Sequence, residues 1–153
     1  MKTLLILVGK TTSKVFNTGI NDYVERISHY MPFDIITIPE LKNTKSITEE
    51  QQKEKEGELI LKHIQPGDTL VLLDEHGKEF RSIELANWLE RKQQTCRRLV
   101  FVIGGPYGFS KEVYDKANEK ISLSKMTFSH QMVRLIFTEQ IYRACTIIKG
   151  EPY

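Results

Sequence analysis

The sequence predicts an α/β protein with an open, mainly parallel sheet and helices on both of its faces. Three observations predict it. Apolar runs of strand length alternate with segments of helical period along the whole chain, making five βα units. Residues 2–8, 69–73 and 99–103 lack the polar alternation of a half-exposed strand, so both faces of these strands should be covered. No repeat, low-complexity tract or linker interrupts the units, so residues 1–153 are expected to form one domain.

Each element has its own warrant. KTLLILV (2–8) is a first strand. A helix is expected over 13–30, with Val15, Ile20, Val24 and Ile27 on one stripe. FDIITI (33–38) is a strand stopped by Pro39, and 40–46 is polar and irregular. Ser46 and Glu49 have the spacing of a capping box, which starts a helix that runs to Ile64 before Pro66-Gly67. TLVLL (69–73) precedes Asp74 and a turn through Gly77, and Ser82 caps a helix to about 94. LVFVI (99–103) runs into Gly104-Gly105-Pro106-Tyr107-Gly108, and Ser110 caps a helix to Asn118. A short strand at 120–124 and a loop at 125–129 lead to a last helix, 130–149, closed by Gly150. In such sheets ligands bind beyond the carboxyl ends of the strands, which directs attention to the loops after 73, 103 and 124.

Composition narrows the functional class. With 40% hydrophobic and 27% charged residues the chain is of a globular class. The longest apolar run is Leu4 to Val8, too short to span a membrane. The opening MKTLLILVG lacks a small-residue cleavage site and reads as a strand rather than a signal peptide. Cys96 and Cys145 make neither a disulfide framework nor a zinc site, and two free thiols suit a reducing cytoplasm. Net charge is only +2, but from Lys120 to Gly150 five basic residues face one acid, a bias that permits a polyanionic partner.

The last helix carries apolar residues nearly all round, from Met132 to Ile148. Such a helix must be buried nearly all round. Either a second copy covers it, in a twofold dimer, or it is wedged into its own core.

Gly9-Lys10-Thr11 is not a phosphate loop, because Leu4 stands where that motif needs glycine. Asp74 and Lys125 suggest a phosphoacceptor domain, but no acidic pair follows the first strand. GGPYG lets backbone approach a ligand closely, and it equally fits an ordinary tight turn. His29, His63 and His76 are scattered. His130 opens the last helix with Arg134 one turn later, a pair suited to phosphate binding or proton transfer, or a solvated helix start. Glu139 and Arg143, at i, i+4, read as a local salt bridge. With no catalytic triad, paired carboxylates or metal cluster in the pattern, an enzyme of this sequence would work by positioning a reactive cofactor.

The stretches FVIGGPYG (101–108), LSKMTFSHQMVR (123–134), EQIYRA (139–144) and EPY (151–153) together resemble the RlmH family, bacterial 23S rRNA (pseudouridine-N3)-methyltransferases of the SPOUT class. LLILVGK and KEKEGELIL (53–61) fit as well, so the resemblance runs end to end. It implies an α/β knot, with a C-terminal trefoil knot, and a homodimer. It implies S-adenosylmethionine as cofactor, with no metal, and helix 69 in the assembled 70S ribosome as target. Cofactor contacts carry over to Leu73, Gly104, Leu123, Ser124, Lys125, Met126, Thr127 and Phe128. His130 is expected to accept a proton, Arg134 and Arg143 to hold RNA phosphate, and Tyr153 to help position RNA. Two departures stand out. Ser129 replaces the family's usual proline, and many members continue past the terminal tyrosine with a histidine and basic residues. The expectation is weaker RNA engagement with cofactor binding intact. Alternatives are a SPOUT enzyme with another RNA target, a non-catalytic ribosome-binding module of the same fold, and a flavodoxin-like ligand binder.

Overall fold

The computed structural model describes residues 1–152. Five strands, β1 (Lys2–Val8), β2 (Phe33–Ile38), β3 (Asp68–Glu79), β4 (Arg98–Ile103) and β5 (Glu119–Ser122), form one sheet in the order β2-β1-β4-β3-β5. Every pairing is parallel. The helices are α1 (Lys14–Ser28), α2 (Glu49–Leu61), α3 (Ser82–Thr95), α4 (Lys111–Lys116) and α5 (Met132–Lys149).

The unbroken apolar strands are explained by what lies on each side. Successive strand residues point to opposite faces. Leu5, Leu7, Val71, Leu99, Phe101 and Ile103 enter one core with residues of α1, α3 and α5. Leu4, Ile6, Leu70, Leu72, Val100 and Val102 enter a second core with Ile60 of α2 and Val113 of α4. Burying an apolar side chain of this size contributes about 1.5–3 kcal/mol, so both parities of each strand stabilise the fold.

Several element boundaries differ from the sequence expectation. The capping box of α2 is Thr48 with Gln51, not Ser46 with Glu49. Thr48 Oγ1 accepts from Gln51 N at 3.1 Å, and Gln51 Oε1 accepts from Thr48 N at 2.9 Å. This frame places Glu49 and Glu50 in the first turn, where the helix dipole favours them. Ser82 does not cap α3. It is the first helical residue, and its hydroxyl donates to Gln140 Oε1 of α5 at 3.0 Å. Ser110 caps α4 as expected, accepting from Val113 N. The last helix begins at Met132, with Ser129 Oγ accepting from Met132 N at 3.0 Å, so the serine serves the helix start.

The largest difference is in β3. No simple turn follows Leu73. The chain bulges outward over 74–77 and then rejoins β5, so Leu73 and Lys78 both lie opposite Ile121. Gly77 permits this, because a Cβ there would meet the backbone of Ile121 at 2.6 Å.

α5 packs against both α1 and α3. Residues 131–148 are all buried or half-buried within this one chain. Much of the helix's all-round apolar character is therefore satisfied internally.

Candidate functional site

β4, β3 and β5 are neighbours in the sheet, so the loops after them converge at one edge. There they enclose a cavity of about 580 Å³, a size usual for small-molecule sites. Leu73, Gly104, Leu123, Ser124, Met126, Thr127 and Phe128 line it, as does His130. Lys125 is exposed and does not line the wall. All three loops singled out from the strand pattern thus contribute.

Each loop is shaped by local bonds. Gly108 has φ +83 and its N–H donates to Gly105 O at 3.2 Å, so GGPYG is a tight turn and a cavity wall at once. A Cβ on Gly104 would meet the Phe109 ring at 2.9 Å, which leaves room only for glycine. Ser122 Oγ donates to Ser124 O at 2.9 Å, and Ser124 Oγ accepts from Met126 N at 2.9 Å. Met126 is 72% exposed and Phe128 37%, and with the exposed Tyr107 they give the cavity lining an apolar, solvent-facing part.

His130 is exposed on the cavity wall. Arg134 does not share its surface, which corrects the expected phosphate role. It is fully buried, at 0% exposure. Its Nη2 donates to Val8 O at 2.8 Å, and its Nη1 donates to Gly9 O at 2.9 Å and to Thr11 Oγ1 at 2.8 Å. Its Nε donates to His130 O at 3.1 Å. Four of the five guanidinium N–H groups are therefore committed. Burial lowers its pKa from the usual arginine range, and Glu40 opposes that shift. Gln131 adds a second tie, accepting from Thr12 N at 2.8 Å and donating to Lys10 O at 3.2 Å. The segment Gly9 to Thr12 is thus stapled to the start of the last helix.

Arg143 makes the local pair its spacing suggests, Nη2 to Glu139 Oε1 at 2.7 Å. It lies thirteen residues beyond His130, roughly 20 Å along the helix. One chain does not bring these two together. Tyr153 lies outside the described residues.

The sequence reading singled out Asp74 but not its partner, Tyr114. Asp74 and Tyr114 both line the cavity, and the Tyr114 hydroxyl donates to the Asp74 carboxylate. Burial first, then this bond, raises the Tyr114 pKa. Asp74 also accepts from His76 N at 2.8 Å. Position directly after a buried strand marked Asp74, but nothing local links it to a tyrosine forty residues on. Among the described residues no group of three or more His, Cys, Asp or Glu is placed to hold a metal, and no helix is long and apolar enough to cross a membrane.

Comparison with known proteins agrees with this geometry. The family model described as "Predicted SPOUT methyltransferase" matches residues 1–153. Proteins named ribosomal RNA large subunit methyltransferase H are similar along their whole length. That of Bacteroides fragilis is 68% identical over all of this chain and 98% of its own. Those of Phocaeicola vulgatus and Flavobacterium johnsoniae are 67% and 54% identical at the same coverage. A solved structure, a probable methylase family protein from Haemophilus influenzae, aligns with TM-score 0.55 at 13% identity, over 97% of this chain and 68% of that one. At that identity it speaks for the fold alone.

Proposed function

This chain belongs to the SPOUT methyltransferase family, and from that premise we propose that it methylates N3 of a pseudouridine in helix 69 of 23S rRNA, using S-adenosylmethionine, as a homodimer acting on the assembled 70S ribosome. A trefoil knot is the chain path expected of this family. The observation that carries the reading is the convergence of three strand-end loops on one cavity with His130 on its wall.

The cavity suits such a cofactor. Backbone groups of 104–108 and 123–128 are available to adenine edges, and Leu73 and Leu123 give apolar contact. Lys125 takes part through its backbone, since its side chain stands outside. When bound, S-adenosylmethionine supplies an already activated methyl group. The chain's task is then alignment, with reacting atoms held about 3–3.5 Å apart. Nε2 or Nδ1 of His130 takes the N3 proton of the base, directly or through one water.

Dimerisation is supported by the division of the expected site residues. His130 stands at one end of α5, while Arg143 and the C-terminal segment stand toward the other. α5 is about 27 Å long, so its two ends lie far apart within one chain. A second copy, reversed about a twofold axis, joins the two groups. Val15 and Ile83, large exposed apolar residues at the starts of α1 and α3, and the exposed Met126 and Phe128 of the cavity lining give such a copy surface to cover. A net charge of +2 offers little nonspecific attraction to RNA, which favours a target recognised by the shape of an assembled particle.

The test is transfer of labelled methyl from S-adenosylmethionine to ribosomes lacking this modification, compared across 70S particles, large subunits and bare rRNA. Label in one pseudouridine of 70S particles is the expected result. Cofactor binding with no labelled RNA would overturn the assignment of the target.

A further inference from the structure

The glycine loop has a back wall as well as a cavity face. That wall is α2 at Glu56-Gly57. A Cβ on Gly57 would lie 2.6 Å from Ser110 Oγ and 3.1 Å from Val113 Cγ2, so the missing side chain lets α2 close on the start of α4. Glu56, one residue earlier, is 5% exposed. Its Oε2 accepts from Gln52 Nε2 at 3.2 Å, and its Oε1 is buried with no hydrogen-bond partner among the described residues. A Cβ on Gly105 would fall 2.7 Å from Oε1 and 3.0 Å from Oε2. The carboxyl group therefore occupies the space a side chain at 105 would take, directly behind the loop.

We propose that Glu56 is a positioning residue for the cofactor cavity, its carboxyl wedged under Gly105 so as to set the height of the 104–108 loop. This rests on the reading of the cavity given above. An apolar residue would fill the same space without the cost of burying an unpartnered oxygen, so the group has a consequence that mere packing lacks. Burial raises the Glu56 pKa, Gln52 opposes the shift and Glu40, on the segment after β2, adds to it. Arg134 of α5 acts on Glu40, but its donors are committed to backbone and to Thr11. The loop carries no side chain charged at neutral pH, and α4 presents Ser110 and Val113 to the adjoining Gly57. Ionisation of Glu56 thus meets no compensating cation among the described residues, and it strains the contact that shapes the loop.

The experiment combines binding of S-adenosylhomocysteine, by calorimetry over pH 5.5–8.5, with amide hydrogen exchange of residues 104–109. Wild-type affinity is expected to fall as pH rises. E56Q should flatten that profile and bind more tightly than wild type at pH 8.5. E56A should weaken binding about tenfold at every pH and speed exchange in the loop while β1 and β4 stay protected. G105A should be damaging alone and less so in the E56A background, where the carboxyl is gone. Parallel pH profiles for wild type and E56Q, or the same cost of G105A in both backgrounds, would overturn the proposal. Failure of the wild type to bind S-adenosylhomocysteine at any pH would instead overturn the cofactor reading. The exchange measurement, which needs no ligand, then decides for Glu56: unchanged exchange in E56A sinks it.

Discussion

Arg134 and Arg143 lie on the same helix, two and a half turns apart, and the structure uses them in opposite ways. Arg134 sits where the helix meets the ends of the strands. Its charge is stabilised by the carbonyl dipoles of Val8, Gly9 and His130 and by Thr11. Arg143 sits toward the other end, one-third exposed, beside Glu139. The first is a brace between the beginning and the end of the chain. The second reaches the surface beside its carboxylate partner. Residue type is alike, but the half-turn offset puts the two on opposite faces of α5, so what separates the roles is which neighbours each face meets.

Substitutions sharpen this contrast, and the brace should give the largest effect. R134M leaves several buried carbonyls without partners and should cost about 3–5 kcal/mol in denaturant unfolding. R134K should recover only part, since an ammonium cannot reproduce the planar fork. An R134M protein as stable as wild type would break the comparison. Next, H130A should lower kcat for methyl transfer about a hundredfold, the low end for a lost general base, with little change in unfolding. A rate unchanged over pH 6–9 would remove His130 from proton transfer. R143A should leave stability within about 0.5 kcal/mol and lower the salt dependence of ribosome binding by about one counterion. An unchanged salt slope would take Arg143 out of phosphate contact. For Glu56 the sign follows from linkage. Its pKa is raised in the folded state, so the folded protein holds the proton more tightly, and stability is fully present below pH 4.5 and declines as pH rises above it. E56Q should therefore match wild type in acid and exceed it at pH 8, as read from melting temperatures. The smallest effect concerns the thiols. Burial pushes Cys145 up to about 12, so a thiol reagent at pH 8 should label the partly exposed Cys96 and reach Cys145 only on unfolding.

The sheet, its parallel strands and the three loops at its edge were legible because each rests on local patterning. Leu4 to Val8 and Leu99 to Ile103 are apolar at every position, and only a sheet covered twice has room for that. What eluded the pattern depends on contacts between distant residues. Two overlapping capping boxes fit at 46–51, and the choice of Thr48 was decided by the three-residue turn at Thr44–Ser46 that precedes it. The return of β3 to β5 depends on Gly77 meeting a backbone more than forty residues on. Arg134 looked like a surface cation beside His130, since no property of residues 130–138 reveals that carbonyls of β1 wait opposite. Leu73, Gly104 and, Lys125 apart, residues 123–128 do line the cavity, and it was a resemblance rather than local patterning that singled them out.

The brace has a consequence for how the protein comes to exist. Val8 O and the Arg134 guanidinium that serves it are 126 residues apart in the chain. At typical rates of synthesis that separation corresponds to roughly 6 to 25 s between the making of the acceptor and the making of its donor. Through that interval the loop after β1 has no route to its final shape, however early its strand is made. Wholly parallel pairing delays closure further, since each neighbour arrives through a crossover. Maturation therefore waits for the start of α5, and a chain released short of Gln131 has neither of the two ties that hold its opening segment.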